Sequence, residues 1–242
     1  MNQQMQLWHD QFAMETFSFE ERKAILVHPE KASGKWLLKT EYFDAFPDLE
    51  LKMLSRGWTL AYLQNHNRWG TNDDLDAKER FHNLLVKRGF SDRCVPIGMS
   101  CGGLHAIKQA ARHPDMISAL YLDAPVVDLL SCPFGIHGST SIDPSVKQEA
   151  LDALGLTMEE LPAYRDHPLD HLSALLQNRI PAALVCGGRD STVPYEHNGI
   201  HVKNAYEASD VPFLFQFKPE CDHHPHGPLE METVISFLEQ FD

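Results

Sequence analysis

The chain has no long apolar segment and few basic residues. No apolar run approaches the roughly 20 residues that a membrane-spanning helix needs, so we expect no membrane partner. The 242 residues include 21 Lys and Arg against 34 Asp and Glu, which gives a formal net charge of −13. A surface of that sign repels phosphate backbones and anionic lipid, and the composition therefore excludes nucleic acid as an expected partner.

Cysteine is also scarce, and its placement is informative. The five cysteines are odd in number and widely scattered, and they form no Cys-x-x-Cys pair (Cys94, Cys101, Cys132, Cys186 and Cys221). This pattern is typical of reduced thiols and not of a disulfide framework. The first ten residues lack the basic-then-apolar pattern of a signal peptide. We therefore expect a cytoplasmic protein.

Apolar runs alternate with helical patterns along most of the chain. Hydrophobic residues make up 43% of the sequence, enough for one full core, and residues 1–242 are expected to form a single α/β domain with a mostly parallel, doubly wound sheet. The alternation stops between about 126 and 176. There Asp143-Pro144 and Gly155 are typical helix boundaries. This stretch is predicted to be a small helical insertion, or lid, after the sixth strand. Short strands are predicted before residue 21, with 15–20 among them, and further strands at 24–28, 58–63, 94–97, 117–122, 180–186 and 211–217. Helices are predicted at 40–56, with or without an interruption near Pro47, and at 78–88, 103–112, 199–208 and 229–241.

The segment Gly98-Met-Ser-Cys-Gly lies between a predicted strand and a predicted helix. Gly-x-Ser-x-Gly in that position is the pattern of a nucleophile elbow, a sharp turn that exposes the serine hydroxyl above a sheet edge. The five-residue match alone is weak, because it arises by chance in roughly one chain in ten. Its context makes Ser100 a candidate nucleophile.

Two later loops supply the groups that a serine nucleophile requires. A serine hydroxyl needs a histidine to accept its proton and a carboxylate to orient that histidine. Asp190 follows one predicted strand, and His223 and His224 follow the next. The order Ser, Asp, His is that of α/β-hydrolases. Because the carboxyl ends of parallel strands share one sheet edge, these residues are expected to meet there.

These motifs resemble those of the α/β-hydrolase superfamily, in its serine-esterase and prolyl-oligopeptidase-like branch. The resemblance covers roughly residues 8–241 and implies Ser100 as nucleophile, Asp190 as orienting acid and His223 as base. His224 stays open as the base, because Asp222 stands where the family usually has glycine. The resemblance also implies that the Cys101 amide forms one half of the oxyanion hole. The second donor is expected within residues 30–36, and Trp36 is expected to line the substrate pocket.

These expectations define a function and its alternatives. The first hypothesis is a serine hydrolase, specifically an esterase that cleaves a small carboxylic or carbohydrate-linked ester without a metal or other cofactor, as a monomer or homodimer. The alternatives are a peptidase of the prolyl-oligopeptidase type, a non-catalytic binding module, and a metal-dependent hydrolase built on the histidines near residue 224. Asp123 and Asp128 are less well placed alternatives to Asp190.

Overall fold

A nine-stranded sheet runs through the described part of the chain. The structure is a computed structural model that describes residues 6–139 and 142–241. Residues 1–5, where the sequence predicts no signal peptide, lie outside the described residues, as do 140, 141 and 242. The strands are β1 (Gln6–Trp8), β2 (Phe12–Phe19), β3 (Arg22–His28), β4 (Trp36–Lys39), β5 (Thr59–Leu63), β6 (Val95–Met99), β7 (Leu120–Asp123), β8 (Ala182–Gly187) and β9 (Phe213–Lys218).

The strand order explains how the sheet presents its carboxyl edge. It runs β1-β2-β3-β5-β4-β6-β7-β8-β9, with antiparallel pairing from β1 through β3 to β5 and parallel pairing from β5 onward. The predicted mostly parallel α/β sheet is confirmed. Because β4, β6, β7, β8 and β9 all point the same way, the loops that follow them gather at one edge.

Helices cover both faces of this sheet. Consecutive strand residues alternate between two apolar clusters, as Leu26 and Val27 do. Helices α1 and α7 pack on one cluster, and α2, α3, α5 and α6 pack on the other. The helices are α1 (Asp48–Ser55), α2 (Asn72–Lys87), α3 (Cys101–Arg112), α4 (Pro144–Leu154), α5 (Leu172–Gln177), α6 (Gly199–Glu207) and α7 (Met231–Leu238).

The strand β4 was not expected from the sequence. Its four residues end in Lys39, which pairs with Glu50 inside the protein, and a lysine does not indicate a buried strand. The strand also displaces the start of the next helix. The prediction of a helix from about residue 40 is wrong, because residues 40–47 form the loop after β4 and α1 begins at Asp48.

The position of β4 also moves Trp36 away from the sheet edge. The indole is fully buried, its Nε1 donates to the carbonyl of Ser91 at 3.0 Å, and its ring packs beside His82 and Phe90. The expectation that Trp36 lines the substrate pocket is therefore wrong. As the first residue of β4, it stabilises the core at the end of the strand opposite to the edge where the loops gather.

The segment between β7 and β8 contains the helices α4 and α5 and several short turns. Asp143 caps α4 by accepting a hydrogen bond from the Ser145 amide at 2.8 Å, and Gly155 ends it in the left-handed conformation. Apolar residues of this segment pack on Trp69 and Leu104, forming a third apolar cluster over the start of α3. Its function as a lid stays a prediction.

No helix in the described ranges is long and apolar enough to cross a membrane.

Candidate active site

Three loops place the predicted catalytic side chains together. Ser100 follows β6, Asp190 follows β8, and His223 follows β9. The Nε2 atom of His223 lies 3.1 Å from Ser100 Oγ. Its Nδ1 atom lies 2.7 Å from Asp190 Oδ2. The structure thus brings the three residues into one hydrogen-bonded chain, which is the arrangement that converts a serine hydroxyl into a nucleophile.

The carboxylate of Asp190 is held by its own loop. Its Oδ1 atom accepts hydrogen bonds from the amides of Thr192 and Val193 at 2.9 and 2.7 Å, which leaves Oδ2 for His223. Only 1% of the Asp190 side chain is exposed. A buried carboxylate with fixed partners keeps the imidazole in one orientation and one tautomer, with the proton on Nδ1.

Ser100 occupies a strained turn between β6 and α3. Its backbone has φ 51° and ψ −123°, a conformation that non-glycine residues rarely adopt. The turn requires a close approach of strand and helix. A Cβ atom on Gly98 would lie 2.7 Å from the Gly102 carbonyl oxygen, and one on Gly103 would lie 2.3 Å from Pro125 Cβ. The glycines of the motif therefore have a steric function at the elbow.

Replacement of Gly103 by alanine is expected to destabilise the protein. The added methyl group overlaps Pro125, which the rigid proline ring cannot relieve without a backbone shift, and overpacking of this kind costs about 1–3 kcal/mol or more. We expect the melting temperature to fall by roughly 2–4 °C for each kcal/mol lost. Thermal unfolding followed by circular dichroism measures this change.

Gly102→Ala is the matched control for that substitution. A Cβ atom on Gly102 would meet Thr40 Oγ1 at 3.0 Å, a milder contact. The Gly102→Ala variant should therefore lose less stability. Equal melting temperatures for Gly103→Ala and the parent chain would show that the elbow tolerates a side chain at that position.

The amide of Cys101 is a candidate donor for a developing oxyanion. Cys101 is the first residue of α3, so its N–H has no acceptor within the helix. The positive end of the helix dipole adds to its affinity for negative charge. The geometry agrees with the role expected for this amide, which stays a prediction.

Residues 30–36, where the sequence predicts the second oxyanion donor, lie at the opposite end of β4 from the elbow. Residues 30–36 precede β4, whereas the strand next to β6 is β4 itself. The loop after β4 therefore lies beside the elbow. Thr40 Oγ1 donates to the Gly102 carbonyl at 2.7 Å, and Tyr42 lines the same cleft as Ser100. The second donor must be sought in this loop.

The side chain of Cys101 is a packing group. It is buried, and burial raises the pKa of the thiol to about 11. A thiol with such a pKa stays protonated at neutral pH, and a protonated thiol is a poor nucleophile. The structure therefore favours packing over a redox-sensitive thiol at this position.

Asp222 has a specific function at the position where glycine was expected. Its Oδ1 atom accepts hydrogen bonds from the amides of Ser191 and His223 at 3.1 and 2.7 Å. These two backbone hydrogen bonds lower the pKa of the Asp222 carboxyl group. Asp222 thus ties the Asp190 loop to the His223 loop.

A second buried carboxylate holds the other end of the histidine loop. Asp123, the last residue of β7, accepts hydrogen bonds from His226 Nδ1 at 3.0 Å, from the Gly227 amide at 2.6 Å and from the Tyr121 hydroxyl at 2.9 Å. Burial acts to raise the pKa of Asp123, but the hydrogen bond and charge of His226 outweigh it and the pKa is lowered. From the sequence, Asp123 is expected only as a less well placed alternative to Asp190. Its place at the end of a parallel strand was the signal for this other partner.

His224 lies outside the hydrogen-bonded chain. Its ring stacks on Phe46, with centroids 5.4 Å apart and planes 13° apart, and it is exposed. The hydrogen-bond partner of Ser100 Oγ is His223. The alternative of His224 as the base therefore does not agree with the geometry.

A cleft of about 310 Å³ opens beside Ser100. Its walls combine apolar side chains with the histidine loop, and its volume is near the lower end for small-molecule sites. It is lined by Tyr42, Ala45, Phe46, Met99, Ser100, Thr192, His223, His224 and His226. Trp69 is excluded from the lining, because it is 1% exposed beneath the insertion.

Comparison with known proteins identifies a family for most of the chain. The model of the prolyl oligopeptidase family matches residues 53–241. No curated protein matches the chain at a significant level.

Solved structures share the fold at low sequence identity. A puromycin-hydrolyzing peptidase of Mycobacterium tuberculosis has a TM-score of 0.70 and 15% identity over 94% of this chain and 38% of its own. Porphyromonas gingivalis dipeptidyl peptidase 4 has a TM-score of 0.66 and 18% identity over 96% of this chain and 35% of its own. An acylaminoacyl peptidase of Pyrococcus horikoshii has a TM-score of 0.64 and 17% identity over 88% of this chain and 38% of its own. The chain has the α/β-hydrolase fold and spans little more than a third of each of these proteins.

These findings correct one expectation from the sequence. The expectation of a carboxylic ester hydrolase is wrong, because the matching family is a peptidase family and the similar structures are peptidases. The α/β-hydrolase fold and the prolyl-oligopeptidase-like resemblance are confirmed.

Proposed function

The chain belongs to the prolyl oligopeptidase family, and on that premise we propose that it is a serine peptidase cleaving amide bonds in small, peptide-like substrates. The observation that carries the proposal is the continuous hydrogen-bonded chain from Ser100 through His223 to Asp190. Its position at the mouth of a cleft leaves room for a carbonyl carbon to approach Ser100 Oγ.

The proposed reaction proceeds through an acyl-enzyme. Ser100 Oγ attacks the carbonyl carbon of the scissile amide while Nε2 of His223 accepts the hydroxyl proton. Asp190 stabilises the resulting imidazolium through Nδ1. His223 then donates the proton to the leaving amine nitrogen as the C–N bond breaks. Water, deprotonated by the same imidazole, attacks the ester carbonyl and releases the acid and Ser100.

Two donors are assigned to the oxyanion of the tetrahedral intermediates. One is the Cys101 amide at the start of α3. The second is assigned to Tyr42, which lies in the loop after β4 and lines the cleft. Burial raises the pKa of its hydroxyl well above the usual value, so the group keeps its proton, and the hydroxyl can turn from the Cys101 thiol that it contacts to donate to the oxyanion. Removal of one such donor lowers kcat about 10²–10³-fold in serine hydrolases.

The walls of the cleft favour an apolar residue on the acyl side of the scissile bond. Ala45, Phe46 and Met99 contribute apolar surface, and the cleft volume of about 310 Å³ accommodates one side chain with its adjoining backbone. Among the described residues that line it there is no carboxylate or lysine. A charged side chain would therefore lose its hydration there without gaining a paired charge.

Aminoacyl p-nitroanilides test this proposal. We expect phenylalanine and leucine derivatives to be cleaved at least about tenfold faster, in kcat/KM, than the aspartate and lysine derivatives, because one buried apolar side chain contributes about 1.5–3 kcal/mol. The Phe46→Ala variant should raise KM for the apolar substrates. Its matched control is Phe237→Ala, because Phe237 lies in α7, packs against the apolar cluster that α1 and α7 cover, and does not line the cleft. Labelling of Ser100 without cleavage of any amide in the panel would contradict the peptidase assignment.

A further inference from the structure

Three imidazole rings meet at the wall of the cleft, and the proposed peptidase chemistry uses one of them. The ring centroid of His223 lies 4.9 Å from that of His224 and 4.8 Å from that of His226, with interplanar angles of 63° and 77°. The centroids of His224 and His226 lie 5.1 Å apart, with an interplanar angle of 79°. One ligand nitrogen from each ring lies within 4.8 Å of the others. The three rings thus lie close enough together for each to offer one nitrogen to a shared ion after a local adjustment.

Two of the rings are hydrogen-bonded through Nδ1 to buried carboxylates. His223 Nδ1 lies 2.7 Å from Asp190, and His226 Nδ1 lies 3.0 Å from Asp123. The side chains of the two aspartates are 1% and 3% exposed. A carboxylate behind a histidine fixes the ring and leaves Nε2 for a metal, which is the usual outer arrangement of zinc sites. The two carboxylates also offset the charge of a divalent cation.

We propose that this cluster binds one Zn²⁺ ion through His223, His224 and His226, and that the bound ion inhibits the enzyme reversibly. The inhibition follows from ligand sharing, because Nε2 of His223 is the atom that contacts Ser100 Oγ. An ion on that nitrogen removes the base that activates the serine. This consequence rests on the proposed function, whereas zinc binding itself does not.

The cluster needs only a modest adjustment to bind the ion. Tetrahedral zinc with Zn–N distances near 2.0–2.1 Å places its nitrogen ligands roughly 3.4 Å apart. The nitrogens here lie within 4.8 Å of one another. His224 is exposed and stacks on Phe46, which is also exposed, so its ring can rotate toward the other two histidines. Three histidines and one open position form the ligand set of several zinc sites.

The ligand type predicts which ions bind. Imidazole nitrogen suits Zn²⁺, Cu²⁺ and Ni²⁺, whereas Mg²⁺ and Ca²⁺ require oxygen ligands. Zinc should therefore inhibit, and millimolar magnesium or calcium should not.

Competition with a chromogenic zinc chelator measures binding without any substrate. The Ser100→Ala variant serves as the parent, since it removes turnover. We expect one zinc ion per chain, with the affinity reduced at least about tenfold when His224→Ala is added. The matched control is His66→Ala. His66 groups with Asp73 and Asp74 in a second set of potential ligands among the described residues, where Arg22 already pairs with both carboxylates.

A second measurement tests the inhibition. Labelling of the otherwise unmodified chain with a fluorophosphonate should fall at least about tenfold at saturating zinc and recover after EDTA, since loss of the base removes most of the reactivity. The His224→Ala variant, compared with its own zinc-free rate, should need at least tenfold more zinc.

Several outcomes would overturn the proposal. They are the absence of stoichiometric zinc binding, equal affinity in the His224→Ala variant, or loss of binding in the His66→Ala variant. Full labelling of Ser100 with zinc bound at the cluster would overturn the inhibitory role. A chain that binds zinc through these histidines but cleaves no amide would contradict the proposed function and leave the metal site standing.

Discussion

The Ser100→Ala variant is expected to lose at least about 10³-fold in kcat on its best amide substrate and to lose all labelling by a fluorophosphonate. The substitution removes the hydroxyl oxygen that lies 3.1 Å from His223 Nε2. The residual rate would come from the oxyanion donors and from substrate binding. Steady-state kinetics with a p-nitroanilide and in-gel fluorescence measure the two effects.

Ser118→Ala is the matched control for that substitution. Ser118 is buried, and its hydroxyl donates at 3.1 Å to the carbonyl of Cys94, which precedes β6 at the end of the strand opposite the elbow. The Ser118→Ala variant should keep both turnover and labelling. Labelling that persists in the Ser100→Ala variant would place the nucleophile elsewhere.

The Asp190→Asn variant is expected to lower kcat about 10³–10⁴-fold with a small change in KM. An amide in place of the carboxylate can present an N–H to His223 Nδ1, which would put the ring proton on Nε2, where it can no longer accept a proton from Ser100. The hydrogen bond concerned is 2.7 Å long and buried. Separate values of kcat and KM for parent and variant distinguish this effect from a loss of substrate binding, which would raise KM and leave kcat unchanged.

Asp123→Asn provides the comparison, because Asp123 holds a histidine of the same loop. His226 contacts Asp123 and not Ser100, so this variant should lose far less activity than Asp190→Asn. It should lose stability instead, since the Gly227 amide and the Tyr121 hydroxyl also donate to the carboxylate. A loss of kcat in Asp123→Asn as large as that in Asp190→Asn would reassign the orienting acid.

The lowered pKa of Asp123 makes part of that stability pH-dependent. Because the pKa is lower in the folded state, the stabilisation by this carboxylate is complete above the pKa of the unfolded state, about 3.9. It is lost as the pH falls through the pKa of the folded state. The parent chain should therefore lose stability in acid more steeply than Asp123→Asn. Urea unfolding at a series of pH values measures the difference.

The parts of the site that depend on local pattern could be predicted from the sequence. Ser100 lies in a turn that needs glycine at two positions of a five-residue motif. Asp190 and His223 each follow an apolar strand. These signals depend on neighbours in the chain. They were sufficient for the fold class and for the residues that form the hydrogen-bonded chain.

The parts that depend on strand order could not be predicted in the same way. Placing β4 between β5 and β6 requires the knowledge that Lys39 forms a buried ion pair with Glu50. Without β4, the loop with Tyr42 was assigned to a helix and Trp36 to the pocket. The choice between His223 and His224 similarly depends on ring orientations, which Asp190 sets for His223 and Phe46 for His224.

The choice between ester and amide cleavage has a different physical basis. The same serine, histidine and aspartate carry out both reactions, so these residue types cannot separate them. The difference lies in how the leaving group is protonated and which substrate the cleft retains. Those properties depend on the positions of Phe46, Met99 and Tyr42 around Ser100, which only the folded chain specifies.

The long separation between the catalytic residues along the chain links chemistry to folding. Ser100 and His223 are 123 residues apart, and His223 reaches Ser100 only when β9 is paired with β8 and β8 with β7. Contacts between such distant residues form slowly, because the intervening chain must first lose its conformational freedom. Recovery of activity after dilution from denaturant therefore reports completion of the whole carboxyl-terminal half of the sheet. A partly folded chain with an intact elbow remains inert, which keeps a reactive serine from acting before the molecule is complete.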